Sequence, residues 1–254
     1  MRTLIIEPHF DDTAYSMTGL ILSGTVAAED DDILILTVFT RSIFAPYADA
    51  SGVDQISALR YGEHKEFCEQ IQVFHHILGY DEAPQRGWSM DELFDTLYGN
   101  DKERALKEME AKETALKERA QKELALKKQI RDDFVLLNES YKPDVVFSPL
   151  GICGHIDHIL VRECAESVFS LQIRYYEDLP YAGEIPTAEY LSWINQLTNG
   201  LHPTKNPGVG RLARRIELLK LYQSQVTEKD IESVRNYLSM HQGERFWTKT
   251  YIYE

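Results

Sequence analysis

Between Asp32 and Thr40 the chain reads DILILTVFT, apolar nearly throughout and rich in β-branched residues. A strand with one face in water alternates apolar and polar side chains. An almost unbroken apolar run is instead what a strand in a parallel sheet shows, with helices covering both faces. This segment reads as the clearest strand in the chain and sets the frame for the remaining elements.

Shorter runs of the same kind recur. Thr3–Ile6 ends at Glu7-Pro8, Val73–Leu78 follows a helical stretch, Asp144–Pro149 reads DVVFSP, and Ile173–Tyr176 precedes Glu177-Asp178-Leu179-Pro180. Helical spacing is seen from Tyr15 to Ser23, from Ser57 to Ile71 (Leu59, Phe67, Ile71) and from Ile159 to Phe169. Strand and helix alternate over most of the chain, which predicts an open, mostly parallel sheet with right-handed crossovers. The tail is mixed. A loop through His202-Pro203 and Pro207-Gly208 leads to an amphipathic helix from Arg211 to Ser224 and a second from Thr227 to His241.

Residues 89–137 read as a long helical region. Within it, 101–128 repeats ALKE, ALKE and ALKK at 105, 115 and 125. Leu106, Met109, Leu116, Ala120 and Leu124 make a thin apolar seam, too short and broken for a coiled coil. A solvated helix propped by i,i+4 ion pairs is the expectation.

Composition narrows the partners. The 254 residues carry a net charge of −14, with no dense basic stripe to meet a phosphate backbone or an anionic bilayer. No apolar run approaches the roughly 18 residues of a membrane span. The opening MRTLIIEPHF lacks the apolar core of a secretory signal. Cys68, Cys153 and Cys164 show no CxxC spacing, so a reduced, cytoplasmic protein is expected.

Chemistry-bearing residues gather in two loops. Pro8-His9-Phe10-Asp11-Asp12 follows the first strand, and His155-Ile156-Asp157-His158 follows the fourth. Open α/β sheets place ligands outside the carboxyl ends of their strands. If these two strands are neighbours, the loops meet. Imidazole and carboxylate ligands suit zinc, whose catalytic sites use three protein ligands and a water. His9, either Asp11 or Asp12, and a histidine of the second loop would supply them. A carboxylate left over serves as general base, a remaining histidine stabilises an oxyanion or protonates the leaving group, and Asp157 orients an imidazole.

At these residues the chain resembles the LmbE-like, or PIG-L, deacetylases, zinc enzymes acting on N-acetylglucosamine-type substrates. Their first motif, Pro-His-Pro-Asp-Asp-Glu or Pro-His-Leu-Asp-Asp, stands here as Pro8 to Thr13. Their His-x-Asp-His motif stands as His155 to His158. The resemblance implies a Rossmann-like three-layer α/β sandwich, with one domain over 1–254 and 101–128 as an inserted charged helix. It implies metal ligands His9, Asp12 and His158, with Asp11 as general base, His155 as acid or oxyanion partner, and Asp157 orienting His155. Arg60, in Arg60-Tyr61-Gly62-Glu63, and Asp81, in Gly79-Tyr80-Asp81, become candidate substrate contacts. Segments 176–181 and 220–225 look like late segments of the Pro-His-Leu-Asp-Asp branch. Phe10 and Thr13 depart from the commoner motif and are expected beside the pocket, where they bear on substrate preference.

The expected activity is hydrolysis of an N-acetyl group on an amino sugar or sugar conjugate, with Zn2+ or another divalent ion such as Fe2+. Two rivals remain from the residues alone: a mononuclear iron oxygenase with two histidines and a carboxylate, and a sugar-binding protein that keeps the pocket without turnover.

Overall fold

The Asp32–Arg41 run is β2, pairing in parallel with β1 (Arg2–Glu7) on one side and β3 (Phe74–Asp81) on the other. The computed structural model describes residues 1–28, 31–89, 92–94, 109–205 and 211–249. β4 (Val145–Pro149) pairs in parallel with β1, and β5 (Ile173–Tyr176) with β4. Two further strands, β6 (Leu201–Lys205) and β7 (Arg245–Lys249), close the sheet antiparallel, giving the order β3-β2-β1-β4-β5-β7-β6. β4 is buried at every position and β1 at all but its first, so helices cover both faces and the layered α/β expectation holds. An open sheet of this kind also removes the barrel that an iron oxygenase would favour.

β1 and β4 lie side by side, as the loop argument required. Strand order reverses between them, so the loops after both strands open onto one crevice at the switch point.

The helices depart from the sequence reading in instructive ways. The expected helix from Tyr15 to Ser23 is two short ones, α1 (Asp12–Ser16) and α2 (Thr18–Leu22). They break at Met17, with Thr18 Oγ1 turned back onto the Ala14 carbonyl at 2.9 Å. α3 (Val53–Ile71) starts earlier than expected, and its C-terminus is capped by Gln72 in the left-handed region.

α4 (Met109–Tyr141) holds the described part of the charged helix. Residues 101–108, Leu106 among them, lie outside the described residues. Leu124 is exposed, as a solvated helix requires, and Lys128 pairs with Asp132 one turn on. Leu126, Ile130 and Phe134 anchor the C-terminal half in the core. Glu123 corrects the solvated reading: it is largely covered and paired with Arg86.

α5 (Ile156–Val168) packs against α4. Then come α6 (Tyr181–Glu184), α7 (Thr187–Leu197), α8 (Leu212–Leu219) and α9 (Glu228–His241), the last opened by a Thr227–Asp230 capping box. The loop expected at His202-Pro203 is β6. Pro203 is tolerated there because β6 is the edge strand. Among the described residues, no helix is long and apolar enough to cross a membrane.

Candidate metal centre

The first loop is set by a buried carboxylate. Glu7, at the end of β1, accepts the Thr13 N–H (2.9 Å) and the Thr37 hydroxyl (2.7 Å), which fixes the turn between strand and α1. Burial pushes the Glu7 carboxyl well above the usual range, partly offset by those two donors. Asp11 caps α1 without using its side chain on the helix, and Asp12 occupies the first helical position. A simple capping turn would have spent the Asp11 carboxylate on a backbone N–H.

The second loop depends on Gly151, whose φ of +84° is left-handed and whose hydrogen a Cβ could not replace without striking Ile159. The turn aims the Gly151 and Ile152 N–H groups at Asp178 Oδ2, 2.7 and 2.9 Å away. His155 then caps α5, its Nδ1 accepting the Asp157 N–H at 3.2 Å, and puts Asp157 and His158 in the first turn.

Together the loops gather His9, Asp12 and His158, whose ligand atoms lie within 4.8 Å of one another. His9 Nδ1 is 3.4 Å from Asp12 Oδ2, and His158 Nε2 is 3.4 Å from Asp12 Oδ1. A tetrahedral ion with bonds of about 2.0–2.1 Å separates its ligands by roughly 3.3 Å. Both imidazoles are supported from behind. His9 Nε2 meets Asp157 Oδ2 at 3.1 Å, and His158 Nδ1 meets Asp178 Oδ1 at 2.7 Å. A carboxylate behind a ligating imidazole fixes its tautomer and aim.

His158 Nε2 is the informative atom. It is fully buried and makes no hydrogen bond, while its ring is fixed through Nδ1. A buried nitrogen kept without a partner in this way costs free energy unless something else binds it. Electrostatics point the same way. Burial opposes charging His9, yet Asp12 and Asp157 raise it well above the ordinary histidine value. Burial likewise opposes His158, which Asp12 and Asp178 raise. Burial would raise Asp12, but His158 and His9 hold it at about 2. The cluster is an anionic cage calling for positive charge, and its two imidazoles and one carboxylate fit a divalent ion of the zinc type.

A second group, His9, His155 and Asp157, is equally tight, but its atoms are spent on one another and on the Ala83 N–H and Arg86. It supports the first rather than forming a separate site.

Above the cluster lies a cavity of about 130 Å3 whose wall includes Asp11, Arg60, Glu82, His155, Tyr181 and Gln225. Burial raises Asp11 to about 6, Arg60 opposing and Asp12 adding to the rise. Burial pushes His155 well below the ordinary value, helped by His158 and His9, so it is neutral.

Several expectations are corrected here. The Asp157 carboxylate is hydrogen-bonded to His9, while His155 Nδ1 accepts the Asp157 backbone N–H. Arg60, by contrast, does lie on the cavity wall, buried and bonded to Ser42 and Glu82, with Nη2 3.7 Å from Asp11. Asp81 is not part of the wall. It stands opposite Arg41 in the β2–β3 register and bonds its Nε at 2.9 Å, while the next residue, Glu82, turns inward. Phe10 and Thr13 do not line the cavity: Phe10 packs on His64, and Thr13 lies against Glu7. Asp178, Glu82 and Arg86 were not among the expected site residues. Only Asp178 had a signal, as a carboxylate just past a buried strand in a segment already singled out.

A Rossmann-like sheet with a carboxylate-backed histidine cage at its switch point defines a layered α/β fold whose loops build a site suited to a divalent ion. Residues 4–169 match the family model described as PIG-L: GlcNAc-PI de-N-acetylase, and the chain belongs to that family, whose chemistry is hydrolytic N-deacetylation. It is 28% identical to 2'-N-acetylparomamine deacetylase of Streptomyces fradiae, covering 97% of this chain and 81% of that protein. Among solved structures, the fold is similar to the zinc-inhibited form of teicoplanin deacetylase (TM-score 0.66, 18% identity, 97% of each chain). It is also similar to N,N'-diacetylchitobiose deacetylase of Pyrococcus horikoshii (TM-score 0.58, 14% identity, 96% of this chain and 83% of that one).

Proposed function

We propose that this protein is a zinc-dependent N-deacetylase that removes the acetyl group from an amino sugar carried on a larger sugar conjugate, and that it works in the cytoplasm. The observation that carries the metal is the buried, unbonded Nε2 of His158 facing Asp12. The relatives named above act on N-acetylated sugars and glycoconjugates, which supports the substrate class. Three free thiols suit a reducing compartment.

His9, Asp12 and His158 would hold the ion. When bound, zinc supplies Lewis acidity and a water whose pKa is lowered to roughly 7. Asp11, poised near neutrality, accepts the proton of the attacking water. Because His155 is neutral and its Nδ1 accepts a backbone N–H, its proton sits on Nε2. That N–H donates to the oxyanion of the tetrahedral intermediate. A neutral Nε2–H is a poor proton source, since losing it leaves an imidazolate. The proton held on Asp11 therefore goes to the departing amine. Arg60 and Glu82 form a fixed polar wall for sugar hydroxyls beside Asp11.

The test is acetate release from a panel of N-acetylated aminoglycosides and N-acetylglucosamine conjugates, with zinc-loaded and chelated protein compared. Zinc-dependent release from at least one member supports the reading. A zinc-loaded protein that releases no acetate from any of them would sink it.

A further inference from the structure

One layer behind the cage, a single turn grips Asp157 from both ends. The 3-10 turn Ala83–Arg86 follows β3. Its first N–H, from Ala83, donates to Asp157 Oδ2 at 3.0 Å, and its last side chain, Arg86, donates through Nη2 to Oδ1 at 2.8 Å. Arg86 spends its other nitrogens nearby. Nε donates to Glu123 Oε1 at 2.9 Å, and Nη1 to the Asp81 carbonyl at 2.8 Å. Glu123, on α4, also accepts the Trp88 indole N–H at 2.9 Å. The guanidinium lies over the Phe39 ring, 4.8 Å from its centroid.

We infer that Arg86, braced by Glu123 of the charged helix, is a positioning residue for the metal centre: it locks Asp157 so that His9 presents Nδ1 to the ion. The inference rests on the metal-centre reading above. A carboxylate held by one oxygen can rock about its own axis. Asp157 has each oxygen tied to a different donor, so its plane is fixed, and with it the ring of His9. Charge gives the second reason. Asp157 is completely buried, and a ligating His9 is neutral, so the anion needs a separate counter-charge. Arg86 provides it in a planar fork that a lysine cannot reproduce. Neither Arg86 nor Glu123 lines the cavity, so their effect reaches the site through Asp157 and not through substrate. The charged helix is thereby tied to the chemistry by one of its own glutamates.

The experiment measures zinc affinity by competition with a chromophoric chelator, together with the visible spectrum of the cobalt(II)-loaded protein. Wild type is compared with Arg86→Met, Arg86→Lys, Glu123→Gln and His158→Ala. Arg86→Met is expected to weaken zinc binding about tenfold, the lower end of the range for groups behind a metal ligand. Arg86→Lys, which keeps charge without the fork, and Glu123→Gln should show smaller losses in the same direction. The cobalt bands should shift in each, since they report ligand geometry and not stability. Should Arg86→Met fail to fold, the two milder variants decide. Unchanged zinc affinity and an unchanged cobalt spectrum in the folded variants overturn the inference while leaving the centre intact. A wild type that takes up no zinc, or retains it in His158→Ala, overturns the metal-centre reading itself and this inference with it.

Discussion

Glu177 and Asp178 are neighbours in sequence, both almost fully buried, yet they belong to clusters of different kinds. Glu177 turns toward the antiparallel edge of the sheet. There it accepts the hydroxyls of Tyr190 and Tyr237 at 2.8 Å and the Trp247 indole N–H at 2.9 Å, with Arg245 2.9 Å away. Those partners come from α7, α9 and β7, so the carboxylate joins the C-terminal elements to β5. Asp178 turns the other way, to two backbone N–H groups and His158, whose far nitrogen makes no hydrogen bond and faces Asp12 Oδ1 at 3.4 Å. Burial and charge are common to both clusters and identify neither. Unbonded nitrogens do not separate them either, since Arg245 Nε in the Glu177 cluster also makes no hydrogen bond. What marks the candidate site is that the His158 nitrogen converges with His9 and Asp12, which line a cavity, while Glu177 is enclosed by tyrosines and a tryptophan.

The largest expected effect tests the open cluster. His158→Ala should abolish zinc uptake and acetate release, read by metal analysis and product assay, while the folded state persists. Release that survives the loss of His158 would move the chemistry elsewhere and dissolve the distinction between the clusters.

Asp11 comes next. Asp11→Asn should lower kcat by about a hundredfold to ten-thousandfold, the usual contribution of a general base, with zinc still bound. The base works only when ionised, so wild-type activity should fall with decreasing pH. Asp11 lies near pH 6 in the metal-free cluster, and a cation on Asp12 pulls it lower. The acid limb of kcat therefore lies at or below about pH 6. A limb well above that value in wild type, measured by a pH–rate profile, would show that another group takes the proton.

The closed cluster should respond in the opposite way. Glu177→Ala strands three neutral donors and Arg245 in the interior and should cost about 3 kcal/mol of stability, the scale for breaking a buried pair. Denaturant unfolding reads the loss. The kcat of the protein that remains folded should stay near wild type. A fall in kcat with stability unchanged would place Glu177 in the reaction.

Much of this was legible before any coordinates, and the limit is physical. Near-continuous apolar runs marked β1, β2 and β4, because a strand covered on both faces has little choice of composition, whereas β3 is an exposed edge strand broken by His75 and His76. β6 and β7 carry no such run: β6 contains Pro203 at the edge, and Arg245 and Lys249 open and close β7. The two motif loops gave His9, one of Asp11 and Asp12, and a histidine of the second loop, since strand ends at a switch point must converge; the choice of Asp12 and His158 came from the family resemblance. What spacing could not give was the pairing of side chains. Asp157 lies two residues from His155, yet its carboxylate crosses the crevice to His9, because the first turn of α5 aims it there. Arg86 and Glu82 had only neighbours of ordinary polarity around them, so nothing in the pattern distinguished them from surface residues.

Asp81 and Glu82 offer the smallest and sharpest test. Adjacent residues at a strand end face opposite sides, so the register that sends Glu82 to Arg60 sends Asp81 to Arg41. Both members of the Arg41–Asp81 pair are about half exposed, at 50% and 47%, and exposed pairs contribute roughly 0–1 kcal/mol. Asp81→Asn should accordingly leave both kcat/KM and stability within about 0.5 kcal/mol of wild type. Glu82→Gln, which leaves buried Arg60 without that counter-charge, should raise KM and also lower stability by about 3 kcal/mol. A tenfold loss of kcat/KM in Asp81→Asn, with an unchanged unfolding midpoint, would extend the substrate surface out past Arg41 and make the exposed strand end part of recognition.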